Sequence, residues 1–250
     1  MNTPKNVWII DNAFYMPQLK RWRRIWLYLP DDYATSNLSY PVLYMHDGQN
    51  LFEEWSSFGE EWQVDETIDG MQKKSIVVGI DNGAGHRINE YKVEDHPSHG
   101  PGEGRAYLRF ITDTLKPYID AHFRTRTDRA STTIAGSSMG GLISFYGALL
   151  HPDVFGNVGV FSPSFWLAGA IDDVISGSMA GKTGWPRFYF YAGEKEGEKM
   201  ADHVREAASL LRMAGAEVQE VYDPNGEHSE ENWRAQFPQF YEWTHRDAHK

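Results

Sequence analysis

The run Ile134-Ala135-Gly136-Ser137-Ser138-Met139-Gly140-Gly141 stands between Ser131-Thr132-Thr133, with its two β-branched threonines, and an apolar run from Leu142 to Leu150. Strand, then Gly-x-Ser-x-Gly, then helix is the sequence form of a sharp strand-to-helix turn. Neighbouring backbone crowds the serine from both sides of such a turn, and only very small residues fit there. Gly136 and Gly140 supply the room, and Gly141 lets the new helix lie close to the sheet. The five-residue pattern alone arises by chance in glycine-rich loops, so its setting carries the weight. Ser138 is the candidate nucleophile, and Met139 offers a backbone N–H at a helix N-terminus that can face a developing oxyanion.

A sheet must precede this turn and a helix must follow it, and the rest of the chain has the same rhythm. Buried-strand runs recur at Val7 to Ile10, Ile25 to Leu29, Val42 to Met45, Ile76 to Ile80, Thr132 to Ala135, Val158 to Phe161, Phe188 to Ala192 and Val218 to Tyr222. Helical patterns cover Glu60 to Met71, Arg105 to His122, Met139 to Leu150, Lys199 to Gly215 and Glu230 to His245. This alternation predicts an α/β fold with a mostly parallel sheet covered by helices on both faces. The first two strands have no helix between them and are expected to form an antiparallel hairpin at the N-terminal edge. With 250 residues and 41% hydrophobic content, one domain spanning 1–250 is expected. Two stretches stay irregular, Asp81 to Gly104 and Ser162 to Pro186. Both follow predicted strands, at the carboxyl ends where open parallel sheets bind ligands, and are expected to wall the pocket over Ser138.

A net charge of −11 argues against nucleic acid or an anionic membrane as partner. The cationic cluster Lys20-Arg21-Trp22-Arg23-Arg24 reads as a solvated turn or strand flank. The absence of cysteine excludes disulfides and thiolate chemistry. No apolar run approaches the roughly eighteen residues of a membrane span, and no secretory leader is visible, so a soluble, cytoplasmic protein is expected.

A serine hydroxyl needs a base to take its proton, and the base needs a third group to hold its tautomer. Among ten histidines, His228 stands in the turn-rich loop Pro224 to Glu230, directly after a strand and before the last helix. The strand Phe188 to Ala192 ends in Gly193-Glu194-Lys195-Glu196-Gly197-Glu198, where Glu196 is the first choice of acid and Glu194 the second. The order Ser138, Glu196, His228 is that of Ser…Asp/Glu…His hydrolases. A second oxyanion donor is expected after the third strand, in Tyr44-Met45-His46-Asp47-Gly48-Gln49-Asn50, from the Gln49 N–H; adjacent His46 is given no role. Arg87 and Glu90 either bind a polar substrate group or brace their loop as an ion pair, with bracing preferred. Trp166 with Phe165 forms either an aromatic wall or core. His96-Pro97-Ser98-His99 reads as a loop and not a metal site.

At these residues the chain resembles the putative-esterase family of α/β-hydrolases, which includes enterochelin esterases, feruloyl and acetylxylan esterases and the antigen 85 mycolyltransferases. The resemblance is carried by Tyr44 to Phe52, Ile76 to Asn82 with Arg87 and Glu90-Tyr91, Gly136 to Gly141, Pro152 to Phe155, Ser162 to Trp166, Gly193 to Gly197 and His228 to Trp233. It implies an α/β-hydrolase fold and cleavage or transfer of a carboxylic ester through an acyl-enzyme. Ser138 would be the nucleophile, His228 the base, Glu196 the acid, and Gln49 and Met139 the oxyanion donors. Many relatives carry Asp where this chain has Glu196. No cofactor and no metal are implied. The substrate is expected to be a small-molecule ester of siderophore, acetyl, feruloyl or simple acyl type. Acyl transfer and a non-catalytic binding module are the alternatives, and oligomeric state has no signature in the sequence.

Overall fold

A computed structural model describes residues 6–179, 184–197 and 199–246. In chain order the elements are β1 (Val7–Met16), β2 (Arg21–Tyr28), β3 (Val42–His46), α1 (Val64–Asp69), β4 (Ile76–Ile80), α2 (Arg87–Glu90), α3 (Gly104–Phe110) and α4 (Lys116–His122). They continue with β5 (Thr132–Ser137), α5 (Met139–Leu150), β6 (Asn157–Phe161), α6 (Ile171–Met179), β7 (Arg187–Gly193), α7 (Met200–Met213), β8 (Val218–Asp223) and α8 (Glu230–Thr244). The strands make one sheet in the order β1-β2-β4-β3-β5-β6-β7-β8. β1 and β2 pair antiparallel, β2 lies antiparallel on β4, and every later pairing is parallel. This is an α/β-hydrolase fold, with the expected hairpin at its edge.

Side chains alternate across each strand, so two cores form. Val42 and Tyr44 of β3 join one core with Tyr107 and Leu108 of α3, Ile143 of α5 and Val204 of α7. Leu43 and Met45 join the other with Val64 and Ile68 of α1 and Trp233, Phe237 and Phe240 of α8. Each such aliphatic side chain, wholly removed from water, contributes about 1.5–3 kcal/mol before entropy is counted. Among the described residues no helix is long and apolar enough to cross a membrane.

Four expectations are corrected, the first being that the stretch from Asp81 to Gly104 is irregular, since it holds a 3-10 turn at Ala84–His86 and α2. The stretch from Ser162 to Pro186 is not wholly irregular: Ile171, Val174 and Ile175 have helical spacing and start α6, while residues 180–183 lie outside the described residues. The helical pattern from Arg105 to His122 widens into a π turn at Ile111–Leu115. Pro117, near the start of α4, has no N–H to return to the preceding turn, which accounts for the change. The basic cluster is not a solvated flank either. Arg21, Arg23 and Arg24 lie within β2, and Arg23 is buried with its guanidinium 2.8 Å from Glu90 Oε2.

Candidate active site

β5 runs into the turn at Ser137, and Ser138 adopts φ 57°, ψ −121°, a strained conformation for a side-chain-bearing residue. A Cβ on Gly136 would lie 2.9 Å from the Gly140 backbone, so the turn closes only because residue 136 is glycine. The Ser138 N–H donates to Phe161 O (2.8 Å), and the Ser138 carbonyl accepts from Leu142 (3.1 Å) and Ser164 (3.1 Å). These bonds tie the serine to β6 and to the loop that follows it. Its Oγ shares a hydrogen bond with Ser164 Oγ at 3.3 Å. Among the described residues no hydrogen bond joins this Oγ to His228.

Four parallel neighbours bring the remaining groups to the same rim. Ser137 is in register with Phe161, Phe161 with Tyr191, and Gly193 with Asp223. After β7 and β8 the two loops meet backbone to backbone: Glu194 N–H donates to Asp223 O (2.9 Å) and Lys195 N–H to Gly226 O (3.0 Å). A Cβ on Gly193 would fall 2.3 Å from Gly226 O, so no side chain fits between them. Glu196 points inward, its side chain fully buried, with Oε2 2.6 Å from His228 Nδ1. Oε1 accepts from the Gly193 N–H (2.6 Å) and from Ser162 Oγ (2.6 Å). Glu194 instead turns outward to Arg205 at 3.3 Å, and Glu198 lies outside the described residues. The Trp233 indole stands edge-on to the His228 ring (4.9 Å, 87°) and donates to Ser162 Oγ at 2.9 Å.

The loop after β3 packs against the start of α5. Asp47 is left-handed (φ 54°, ψ 48°) and leads into a short 3-10 turn, Gly48–Asn50. A Cβ on Gly48 would lie 2.6 Å from Gly79 C and 2.7 Å from Ile80 N, which keeps that position bare. Asp47 Oδ1 accepts from Asn82 Nδ2 (2.7 Å) and Arg87 Nε (2.8 Å), and Oδ2 from a terminal Arg87 nitrogen (2.9 Å). Burial alone raises this carboxyl's pKa, but Arg87 and Asn82 outweigh it and hold the group below the usual carboxylate range. Asn82 N–H also donates to Gln49 Oε1 at 3.1 Å, so the same cluster pins the Gln49 turn. Gly140 has Asp47 Oδ2 and His46 Cβ 3.2 Å from its Cβ position, which places this turn beside Met139, the first residue of α5.

Arg87 braces the loop, but with Asp47 and not with Glu90. Glu90 is wholly buried and pairs with Arg23 and Arg21. Phe165 and Trp166 part company: Phe165 is buried edge-on against Phe145, while Trp166 is exposed beside His99. His46 is buried with Nδ1 2.9 Å from Tyr107 Oη, and burial drives its pKa to about 3, so the ring is neutral. Ser162, Ser164, Asp47 and Phe58 had no place in the expected constellation. Phe58 is 85% exposed, its N–H on Asn50 Oδ1 and its neighbour Gly59 facing Glu230. The partners of Ser162, Ser164 and Asp47 lie tens of residues away in sequence and have no spacing signature.

Residues 17–244 match the family described as Putative esterase. The uncharacterized protein YbbA of Bacillus subtilis is 29% identical over 206 residues, covering 80% of this chain and 76% of that protein. The iron(III) salmochelin esterase of Escherichia coli is 33% identical over 148 residues, 58% of this chain but only 32% of that protein. The crystal structure of the BES protein from Bacillus cereus superposes with a TM-score of 0.80 over 99% of this chain and 97% of that chain. Its identity is 16%, a likeness of fold.

Proposed function

The chain belongs to the putative-esterase family of carboxylic-ester hydrolases, and on that premise we propose that it works through an acyl-enzyme with Ser138 as nucleophile, His228 as base and Glu196 as acid. One observation carries this reading: an imidazole Nδ1 stands 2.6 Å from a buried carboxylate on the rim where the strained serine emerges. With Nδ1–H donated to Glu196, Nε2 keeps its lone pair for the Ser138 proton. A substrate carbonyl entering the rim displaces the Ser164 contact and turns Oγ toward Nε2; catalytic hydrogen bonds commonly tighten only in the complex.

Oγ then bonds to the carbonyl carbon as its proton passes to His228, and the former carbonyl oxygen becomes the oxyanion. The N–H groups of Gln49 and Met139 are assigned to that oxygen. When the tetrahedral centre collapses, the ester C–O bond breaks and His228 returns the proton to the leaving alkoxide, which departs as the alcohol. Water repeats the sequence on the acyl-enzyme, releasing the acid and restoring the serine. Glu196 keeps its hydrogen bond to Nδ1 and stabilises the transient imidazolium. The whole cycle is assigned to one α/β-hydrolase domain and needs no cofactor.

For substrate we propose an ester of the siderophore type, ahead of acetyl, feruloyl or simple acyl esters. The salmochelin esterase relative supports this order; the exposed rings of Phe58 and Trp166 offer flat apolar faces to the aryl group of a siderophore or a feruloyl ester and favour both over acetyl or simple acyl esters. Ser138→Ala and His228→Ala are each expected to lower kcat by about 10³-fold or more while the protein stays folded. A fluorophosphonate probe should label the parent and not Ser138→Ala. A Ser138→Ala variant that keeps most of its ester hydrolysis would overturn the assignment. Rates on a ferric catecholate lactone, methyl ferulate, acetylated xylan and p-nitrophenyl esters rank the substrates.

A further inference from the structure

A buried carboxylate stays ionised only if donors replace its lost water. Glu196 Oε1 has two, the Gly193 N–H and the Ser162 hydroxyl, each at 2.6 Å. A serine has one hydroxyl hydrogen, and what lies on the other side of its oxygen decides where that hydrogen goes. Here it is Trp233 Nε1, a group that only donates, at 2.9 Å. Ser162 Oγ must therefore accept from the indole and turn its hydrogen to Glu196. The polarity of the chain is fixed from end to end: indole N–H to hydroxyl, hydroxyl to carboxylate, with the imidazole N–H arriving at the other oxygen.

We propose that Ser162 and Trp233 are positioning residues that hold the Glu196 carboxylate aimed at His228 Nδ1, and so fix the imidazole tautomer the reaction uses. The proposal rests on the Ser138–His228–Glu196 reading above. Two more features support it. Ser162 is fully buried at φ 45°, where glycine sits without strain, and its N–H is committed to Tyr191 O at 2.8 Å. The strained position keeps a side chain, and the hydroxyl is what that side chain brings. Trp233 also meets the same imidazole edge-on, so one residue limits the ring's tilt and, through Ser162, its partner's aim. A purely structural role, satisfying a buried indole N–H, leaves the hydroxyl's bond to the carboxylate without a reason.

The test compares Ser162→Gly, which suits the backbone, and Trp233→Phe, which keeps an aromatic ring of smaller size and loses the donor, with the double variant and Ser138→Ala. Each single change is expected to lower kcat on a p-nitrophenyl ester by between about 10- and 100-fold with KM within about twofold. The double variant should be no slower than the slower single, since the two act as a unit. In ¹⁵N-histidine-labelled protein the downfield His228 Nδ1–H proton should shift in both singles while circular dichroism stays that of the parent. Parent-like kcat and an unmoved resonance in Ser162→Gly would overturn the positioning role, as would a loss confined to KM. If Ser138→Ala is inactive and Ser162→Gly is fast, only the positioning role fails; if Ser138→Ala is fast, the triad reading fails with it.

Discussion

Individual residues here are placed against their own preferences, and those places are informative. Ser138 and Ser162 both hold positive φ without being glycine, and both sit on the rim where the chemistry is proposed. Asp65, in the first turn of α1, is buried with Oδ1 unbonded among the described residues. Burial first, then the neighbouring Glu66, raises its pKa from 3.8 to about 8. The folded protein therefore keeps this proton up to about pH 8, whereas the unfolded chain releases it near 3.8. Between those values each rise in pH favours unfolding, so the stability tied to this group is present in acid and lost as pH climbs through the window. Asp65→Asn should remove that slope. Its melting temperature, compared with the parent, should gain steadily from pH 5 to pH 8 in thermal scans; a difference independent of pH would contradict the assignment. Ser138 and His228 could be singled out as candidates from sequence because elbow and loop have local spellings. Ser162 was not, since its partner Trp233 is 71 residues away and only the sheet order brings them together.

Among the elements, β2 shows best how local pattern and burial diverge. Four cations in five residues read as surface, yet the period of two puts Arg21 and Arg23 on the face of Ile25 and Leu27, toward one of the two cores. That alternation was the signal for a buried arginine. Glu90, at the end of α2, answers it with both carboxylate oxygens, 2.9 and 2.8 Å from one Arg23 nitrogen. The pair fastens the antiparallel edge to the long loop that also supplies Asn82 and Arg87 to the Gln49 turn. Glu90→Ala leaves a buried guanidinium uncompensated and is expected to cost about 3–5 kcal/mol in urea unfolding. Replacing both partners, Arg23→Met with Glu90→Leu, should recover most of that loss; equal losses in the single and double variants would show that the charge pairing is not the cause. The central strands β3 to β7 were readable because each holds a short apolar or β-branched run, and β1, β2 and β8 were readable only in part because polar residues interrupt theirs, whereas α6 was hidden by Gly177 and serines that dilute its short apolar stripe.

For the whole molecule the parallel sheet was readable from the alternation of patterns, but the placement of loops along its rim depends on strand order, which no local run encodes. The net charge of −11 also acts at this scale. Raising ionic strength from about 0.01 to about 0.15 M shortens the Debye length from about 30 to about 8 Å and screens the field that repels anionic esters. The kcat/KM for an anionic ester should rise over that range while that for a neutral p-nitrophenyl ester stays level; parallel responses would show that the field does not govern encounter. The seam between the loops of β7 and β8 has a mechanical outcome. With backbone pressed on backbone at Gly193 and Gly226, and with Glu196 bonded to His228, the two loops are fastened to each other at two places. On the proposed reading, imidazole and carboxylate are already joined, so what a substrate must close is one gap, to the serine, and not two.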